Sequence, residues 1–413
     1  MYKFEDLIEE VKEFNTDLRY GLDDIVGVTI EKGLIPTIAN LTQTALDKFY
    51  IIKPETFVYN PRTHGVRLGM GYNDTCNTYI TTWNNVAFRV KDTAKNIVIP
   101  QYLWLYFCRP IWDRLTNFLA WGSSTIVFAW KDFLTIEIDL PSITRQREIV
   151  AEYETLTRRI RINEKMIQNL ESTAQTLYRK MFVDGIDKEN LPEGWRMGTI
   201  SDLVEIIDGD RGVNYPKDTD LYPIGFCLFL NAGNVTSKGF NFENKLYITE
   251  KKSDTMRAGK LKRNDIVFTT RGTVGNFALY SNDIPFEYMR INSGMVILRS
   301  EIIDSIQYIY HLFHLVSFKQ EIINYLSGSA QPQLPIKDFN RIPIVIPSND
   351  KIKMFSDNSV IMNKNIDILK NENIKLTELQ SLLLAKMIRI IINIKTKYYD
   401  TRRIINASSK ASD

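Results

Sequence analysis

The chain has 413 residues, 44% of them hydrophobic and 24% charged, and a formal net charge of +3. That length exceeds one ordinary core and points to two domains of roughly 150 residues with connecting elements. The near-neutral charge excludes a strongly acidic nucleic-acid mimic and leaves the case for a polyanionic partner to the local distribution of charge.

The N-terminal stretch MYKFEDLIEEVKEF is acidic and amphipathic, without the basic and then apolar regions of a secretory signal. No later stretch approaches the ~18 uninterrupted apolar residues of a membrane span. Cys76, Cys108 and Cys227 are too scattered for a disulfide framework or a zinc site. A cytoplasmic location is the expectation.

KFYIIKP, TFVYN, NTYITTW and NVAFRV follow as strand-like runs, rich in β-branched and aromatic residues and flanked by Gly, Asn, Asp and Pro. YLWLYFCRPIWDRLTNFLA is helix-like, and a Gly-Ser turn, a polar segment and a strand ending in Pro-Ser come next. From Ile149 a heptad seam runs through Tyr153, Leu156, Ile160, Asn163, Ile167, Leu170, Ala174, Leu177 and Met181, with Gly185 as the stop.

The series then begins again. FCLFLNAGNV, KLYITE, DIVFTT and SGMVILR are strand-like, and IQYIYHLFHLVSFKQEIINYL is helix-like. Compared at a shift of 206, Gln101–Ser142 and Gln307–Ser348 are identical at 12 of 42 positions. Unrelated segments give about two or three. Phe57–Gly69 parallels Ile266–Ala278 at a shift of 209, with Arg62 and Arg271 in register. A second seam, Phe355, Ser359, Met362, Ile366, Leu369, Asn373, Leu376, Gln380, Leu383 and Met387, echoes the first.

The class is therefore α+β: two tandem homologous domains of mixed β-sheet plus helices, each followed by a long helix of roughly 50 Å. The expected segments are a first domain at 1–144, a central helix at 145–184, a second domain at 185–348, a distal helix at 349–390 and a tail at 391–413. Each apolar seam must be buried, and each helix has a near-copy of itself in the chain. Mutual packing as an antiparallel coiled coil follows, with Asn163 facing Asn373 as a register-setting pair.

GVTIEKGLIPT, LPEGW, DGDRGVNYP, GSAQPQLPIKDF and QNLESTAQTLYRKMF, in this order and with the duplication, resemble the DNA-specificity (S) subunits of type I restriction–modification systems. The resemblance runs from about Tyr20 to Met387. It implies that each globular copy is a target-recognition domain reading one half of a split site in double-stranded DNA. It also implies that the helices space the half-sites and dock two adenine methyltransferase (M) subunits, through which motor-nuclease (R) subunits join. The S subunit would then have no catalysis and no cofactor of its own, with S-adenosylmethionine, ATP and Mg carried by the partners. Another DNA-modification system's recognition module, or a non-enzymatic coiled-coil scaffold, is the alternative.

Base readers are hydrogen-bonding side chains on exposed loops, and phosphate binders are usually Arg, Lys, Ser or Thr. In the first copy the candidates are Lys32, Arg62, Thr63, His64, Arg67, Ser123, Ser124 and Thr125. In the second they are Arg211, Asn214, Lys217, Arg271, Thr273, Asn276, Ser329, Gln331 and Gln333. Neither domain is strongly basic: Tyr20–Arg145 carries 12 basic and 11 acidic residues, and Asn190–Ser348 carries 17 of each. An isolated chain is therefore expected to bind DNA weakly, with partners supplying much of the phosphate contact.

The chain lacks a GxxxxGK[ST] phosphate loop. Asn60-Pro61-Arg62-Thr63 lacks the second proline and the aromatic of an amino-methyltransferase motif. His311 and His314 are expected to pack rather than to ligate a metal, and Asp208 and Asp210 to build a turn or a DNA-facing loop.

Overall fold

The computed structural model describes residues 1–37, 44–63, 67–121, 126–328 and 331–387. The chain divides into two units. Unit 1 holds Met1–Arg161 and the chain from Asn373 onward; unit 2 is Ile162–Glu372. The two long helices are α5 (Ile143–Phe182) and α10 (Asn349–Lys386). Each unit therefore combines one globular domain with part of both helices, which do not form segments of their own.

The strands of unit 1 are β1 (Tyr2–Lys3), β2 (Ile8–Glu10), β3 (Val26–Thr29), β4 (Gly33–Pro36), β5 (Tyr50–Ile52), β6 (Phe57–Tyr59), β7 (Met70–Tyr72), β8 (Tyr79–Thr81), β9 (Val86–Val90) and β10 (Glu137–Ile138). Six form an antiparallel sheet in the order β2-β9-β6-β7-β3-β4, and β1-β10 and β5-β8 are separate pairs. Helices α1 (Phe4–Leu7), α2 (Pro100–Phe107), α3 (Pro110–Leu119) and α4 (Trp130–Leu134) complete the domain. Its core is aromatic, with Phe4, Phe57, Tyr59, Phe88, Phe107, Trp112 and Phe133 in one cluster.

Unit 2 contains β11 (Arg196–Thr199), β12 (Glu205–Asp208), β13 (Cys227–Leu230), β14 (Val235–Thr236), β15 (Gly239–Phe240), β16 (Tyr247–Ile248), β17 (Ile266–Thr269), β18 (Phe277–Leu279), β19 (Met289–Ile291), β20 (Met295–Arg299) and β21 (Pro343–Ile346). Its sheets are β12-β20-β17-β18, β16-β13-β19, β14-β15 and β11-β21. Its helices before α10 are α6 (Glu250–Thr255), α7 (Ile303–Leu312), α8 (Val316–Asn324) and α9 (Ile336–Phe339).

The duplication is visible in the topology. The order β2-β9-β6-β7 recurs as β12-β20-β17-β18, and α2, α3 and α4 recur as α7, α8 and α9. All eight strand-like runs of the sequence contain a strand. Five of the twelve identical pairs are core residues in both copies. Tyr102/Tyr308, Phe107/Phe313, Phe133/Phe339, Ile136/Ile342 and Ile138/Ile344 are buried in both copies.

Each stretch that reads as one helix is two. Between α2 and α3, Arg109 is extended (ψ 140°) because the ring of Pro110 disfavours a helical residue before it. The second break, at Leu315 (ψ 131°), has no proline to announce it.

Helix α5 has 40 residues and α10 has 38. At 1.5 Å per residue both approach ~60 Å. They exceed the roughly 50 Å of the seams because each starts six residues ahead of its first seam residue, α5 at Ile143 and α10 at Asn349. Every position of both expected seams is buried or half-buried. In unit 2, Ile167 clusters with Ile366 and Leu369, while Tyr178 lies edge-on to Phe355 at 5.3 Å. Numbers rise on one helix as they fall on the other, so the pairing is antiparallel. In unit 1, Gln380 donates to the Thr157 hydroxyl (2.7 Å) and Met387 joins Ile149 and Val150 in the core, the same sense. The buried Arg109 guanidinium closes that end of α10 by donating to the Met387 carbonyl (3.0 Å).

The seam asparagine Asn163 is fully buried, and its amide N–H reaches the Glu372 carboxylate at 3.0 Å. Charge-assisted pairing compensates burial of the amide. Asn373, the expected partner, is assigned to unit 1, where its carbonyl accepts from Thr377.

Candidate nucleic-acid interface

In unit 2, two loops contact the segment Asn292–Gly294, and two further loops are joined to them, one through Gln333 and one through Arg257. The hairpin loop RGTVGN (Arg271–Asn276) joins β17 to β18. Gly272 (φ +74°) and Gly275 (φ +94°) supply its left-handed positions. Thr269 ties the loop base, its hydroxyl accepting the Asn276 N–H at 3.0 Å and donating to the Thr273 carbonyl. Arg271 donates its backbone N–H to the Gly294 carbonyl (3.1 Å) and faces Gln333 in an antiparallel bridge. Ser327 and Gln333 exchange both backbone hydrogen bonds, 2.8 and 2.9 Å. Arg271, Thr273 and Gln331 are exposed, and Gln333 is half-buried.

The DGDRG stretch is the third loop, and its residues build it. Gly209 lies so close to the Asn292 carbonyl that a Cβ would sit 2.2 Å from its oxygen. Asp210 is buried and accepts from the Gly212 N–H (2.7 Å) and the Arg257 N–H (2.7 Å). The Gly212 donor, with the Arg257 backbone and charge, holds that carboxyl below the usual carboxylate range despite burial. Arg211 is exposed, paired with Asp208 at 3.1 Å, and reaches the Ser293 carbonyl (3.4 Å). The fourth loop brings Arg257, an exposed residue that sequence reading missed. A Cβ on Gly212 would meet its guanidinium at 2.2 Å. The glycine that makes room for it, Gly212, lies in the DGDRGVNYP stretch 45 residues away, and nothing in that stretch points to Arg257. The result is a surface with three exposed guanidinium groups and two glutamine amides, chemistry suited to phosphate and to base edges.

Other expected residues of unit 2 serve the loops. Asn214 donates to the Thr255 carbonyl (2.9 Å), and Asn276 donates to Val235 (3.1 Å). Lys217 is exposed, and its backbone N–H is held by Asp220 at 2.9 Å. Ser329 lies outside the described residues.

In unit 1, Arg62 and Arg67 are exposed while Thr63 is buried. Arg62 faces Val127 in an antiparallel bridge, and Thr63 donates its N–H to the Ile126 carbonyl (3.0 Å). His64, Ser123, Ser124 and Thr125 lie outside the described residues. Lys32 takes a left-handed turn position (φ +67°), and its ammonium is buried. It meets Asp113 at 2.6 Å and the Leu68 carbonyl at 2.7 Å, so this lysine braces the domain from within.

His311 is buried and meets the Ser359 hydroxyl at 2.8 Å; that hydroxyl donates to Gln307 (2.9 Å). Burial pushes its pKa down to about 3. His314 meets the Tyr310 carbonyl at 2.9 Å. Among the described residues, no group of three or more His, Cys, Asp or Glu side chains is placed to hold a metal ion, and no helix is long and apolar enough to cross a membrane.

Residues 192–378 match the family model of the type I restriction modification DNA specificity domain. Two curated proteins of Methanocaldococcus jannaschii are similar. The type I restriction enzyme MjaIX specificity subunit is 23% identical over 302 residues, covering 70% of this chain and 67% of that protein. The MjaVIII specificity subunit is 24% identical over 295 residues, covering 68% and 67%. The crystal structure of the type I restriction–modification S subunit from M. genitalium shares the fold, with a TM-score of 0.56 at 15% identity, over 94% of this chain and 95% of that one. These findings support a DNA-specificity subunit, the family that the sequence resembles.

Proposed function

We propose that this DNA-specificity subunit reads a bipartite target in double-stranded DNA, one half-site with each globular domain. One observation carries the reading. The same bridged edge, led by an exposed arginine, is built twice: Arg62 against Val127 in unit 1 and Arg271 against Gln333 in unit 2. Duplicated readers in one chain suit a split site as paired readers of a dimer do.

The long helices supply the partner surfaces. In unit 1, Ala151, Thr155, Leu156, Leu379, Leu382 and Leu383 line a groove of about 740 Å³. In unit 2, Met166, Leu170, Ile368 and Leu369 line one of about 420 Å³. Leu379, Leu382, Met166 and Ile368 are all exposed, outside the seam. Such apolar strips suit obligate partners, and an adenine methyltransferase subunit on each is the reading. The methyltransferases carry S-adenosylmethionine, and the motor-nuclease joining through them carries ATP and Mg. This chain positions the complex in the cytoplasm and performs no chemistry.

Methylated-site sequencing of the host with and without the gene tests the proposal. One bipartite adenine motif should disappear on deletion, and the chain should co-purify with an adenine methyltransferase. A methylome that is unchanged, or that loses only a contiguous motif, rejects it. Deleting one heptad from both helices should shorten the gap between half-sites and spare their sequences.

A further inference from the structure

The two arginine-led edges carry different side chains. In unit 1 the bridged row is Arg62–Val127–Trp121, and in unit 2 it is Arg271–Gln333–Ser327. Val127 and Gln333, like Trp121 and Ser327, stand 206 residues apart, the spacing of the repeat. Residues directly opposed in an antiparallel bridge project to the same face. Each row therefore presents its three side chains side by side, an arginine at one end.

Unit 2 presents an amide and a hydroxyl beside its arginine. Unit 1 presents an isopropyl group and an indole. Trp121 is 65% exposed, and Val127 beside it is half-buried. Trp121 and Val127 exchange both backbone hydrogen bonds at 3.2 Å, so the backbone fixes the row. Leaving an indole in water beside an isopropyl group forgoes burial energy that folding would otherwise collect. Adjacent exposure of this kind marks a contact surface. Lys131 reaches 6.0 Å from the indole centroid, and Arg62 stands at the far end of the row, so cations flank the apolar patch. That pattern matches a major-groove edge, with phosphates on either side and an apolar group between. The apolar group that DNA offers there is the thymine 5-methyl.

We infer that unit 1 reads thymine methyl groups through Val127 and Trp121, whereas unit 2 reads its half-site by hydrogen bonds from Gln331 and Gln333. This inference rests on the bipartite-reader reading above. Asymmetry between the domains is its content: one half-site depends on a methyl group, the other on donors and acceptors.

The test uses the full chain in complex with its methyltransferase and synthetic duplexes bearing the site that the complex methylates. Deoxyuridine replaces thymidine in one half-site at a time, which removes the methyl and leaves base pairing intact. Retention should weaken about fourfold for each contacted thymine in one half-site, the worth of a buried methyl, and less than twofold in the other. The W121S/V127Q double variant installs the row of unit 2 at the exposed Trp121 and the half-buried Val127, and it should abolish the methyl sensitivity. Sensitivity in both half-sites, in neither, or surviving the double variant overturns the inference. The wild-type arm decides even if the variant does not fold. Failure of the bipartite reading itself looks different: no duplex would be retained in a sequence-specific manner, whichever base it carried.

Discussion

The two globular domains share a frame and differ in how densely it is filled. Phe133, in unit 1, lies within 5.0–5.7 Å of the rings of Phe4, Tyr59, Phe88, Phe107, Trp112, Phe128 and Trp130. Its repeat partner Phe339 meets Phe268 at 4.7 Å and Phe313 at 6.2 Å. Both are fully buried. A duplicated scaffold thus keeps the residue where the frame needs a ring and lets the neighbours drift. Truncation should expose the difference. F133A should cost about 4 kcal/mol and F339A about 3 kcal/mol, within the usual range for a buried Phe→Ala change. Urea unfolding with hydrogen exchange read separately in each unit would measure both, and equal costs would show that ring neighbours do not set the difference.

The arginines test the comparison at the reading edges. R271A and R62A should each weaken binding by about 2 kcal/mol, the scale of one good base or phosphate contact. Each should relax a different half-site, which anisotropy titrations on duplexes altered in one half at a time would reveal. Both variants acting on the same half-site would break the assignment of one domain to each.

Much of the frame was legible in the sequence, and the reasons are local. The heptad spacing of Ile149–Met181 and Phe355–Met387 forces burial of one stripe, so every seam position lies inward. The 206-residue echo marked shared core residues such as Tyr102 and Tyr308. The breaks inside the two helical stretches were not legible, since Leu315 lies in an uninterrupted apolar pattern. Among the candidate contacts, exposure could not be read from residue type. Lys32 is a loop lysine, yet its ammonium is buried against Asp113, while Arg257 reaches the surface of unit 2 through a long-range bond to Asp210. Both outcomes depend on tertiary partners tens of residues away, which composition and spacing do not encode.

How each copy finishes its helical pair gives a smaller contrast. In unit 1 the buried Arg109, lying 3.6 Å over the Tyr106 ring, donates to the carbonyl of Met387, the residue that follows α10. The repeat equivalent in unit 2 is Leu315, which joins the apolar core. Installing that leucine, R109L, leaves the Met387 carbonyl without its charged donor and should cost about 1–2 kcal/mol. The loss should be confined to the last turn of α10, visible as faster hydrogen exchange there. Loss of protection throughout unit 1 would mean that the arginine supports the whole domain.

The mildest difference is in response to acid. Unit 2 has His311 where unit 1 has Leu105, and His314 where unit 1 has Cys108. Burial keeps His311 neutral in the fold and lowers its pKa to about 3, and burial lowers that of His314 as well. The unfolded chain protonates both near their ordinary value of about 6.5. Stability is therefore complete above that pH and declines as the pH falls through it, because the unfolded state then binds protons that the fold refuses. At pH 5.5 the contribution of His311 should be about 1 kcal/mol. Melting curves of the wild type and H311L at pH 7.5 and 5.5 measure it. The variant loses the imidazole–Ser359 contact and melts lower at pH 7.5, but its melting point should change less between the two pH values. An unaltered pH dependence would mean that the imidazole is already charged in the fold, and the hydroxyl of Ser359, which donates to Gln307, would then be accepting from an imidazolium.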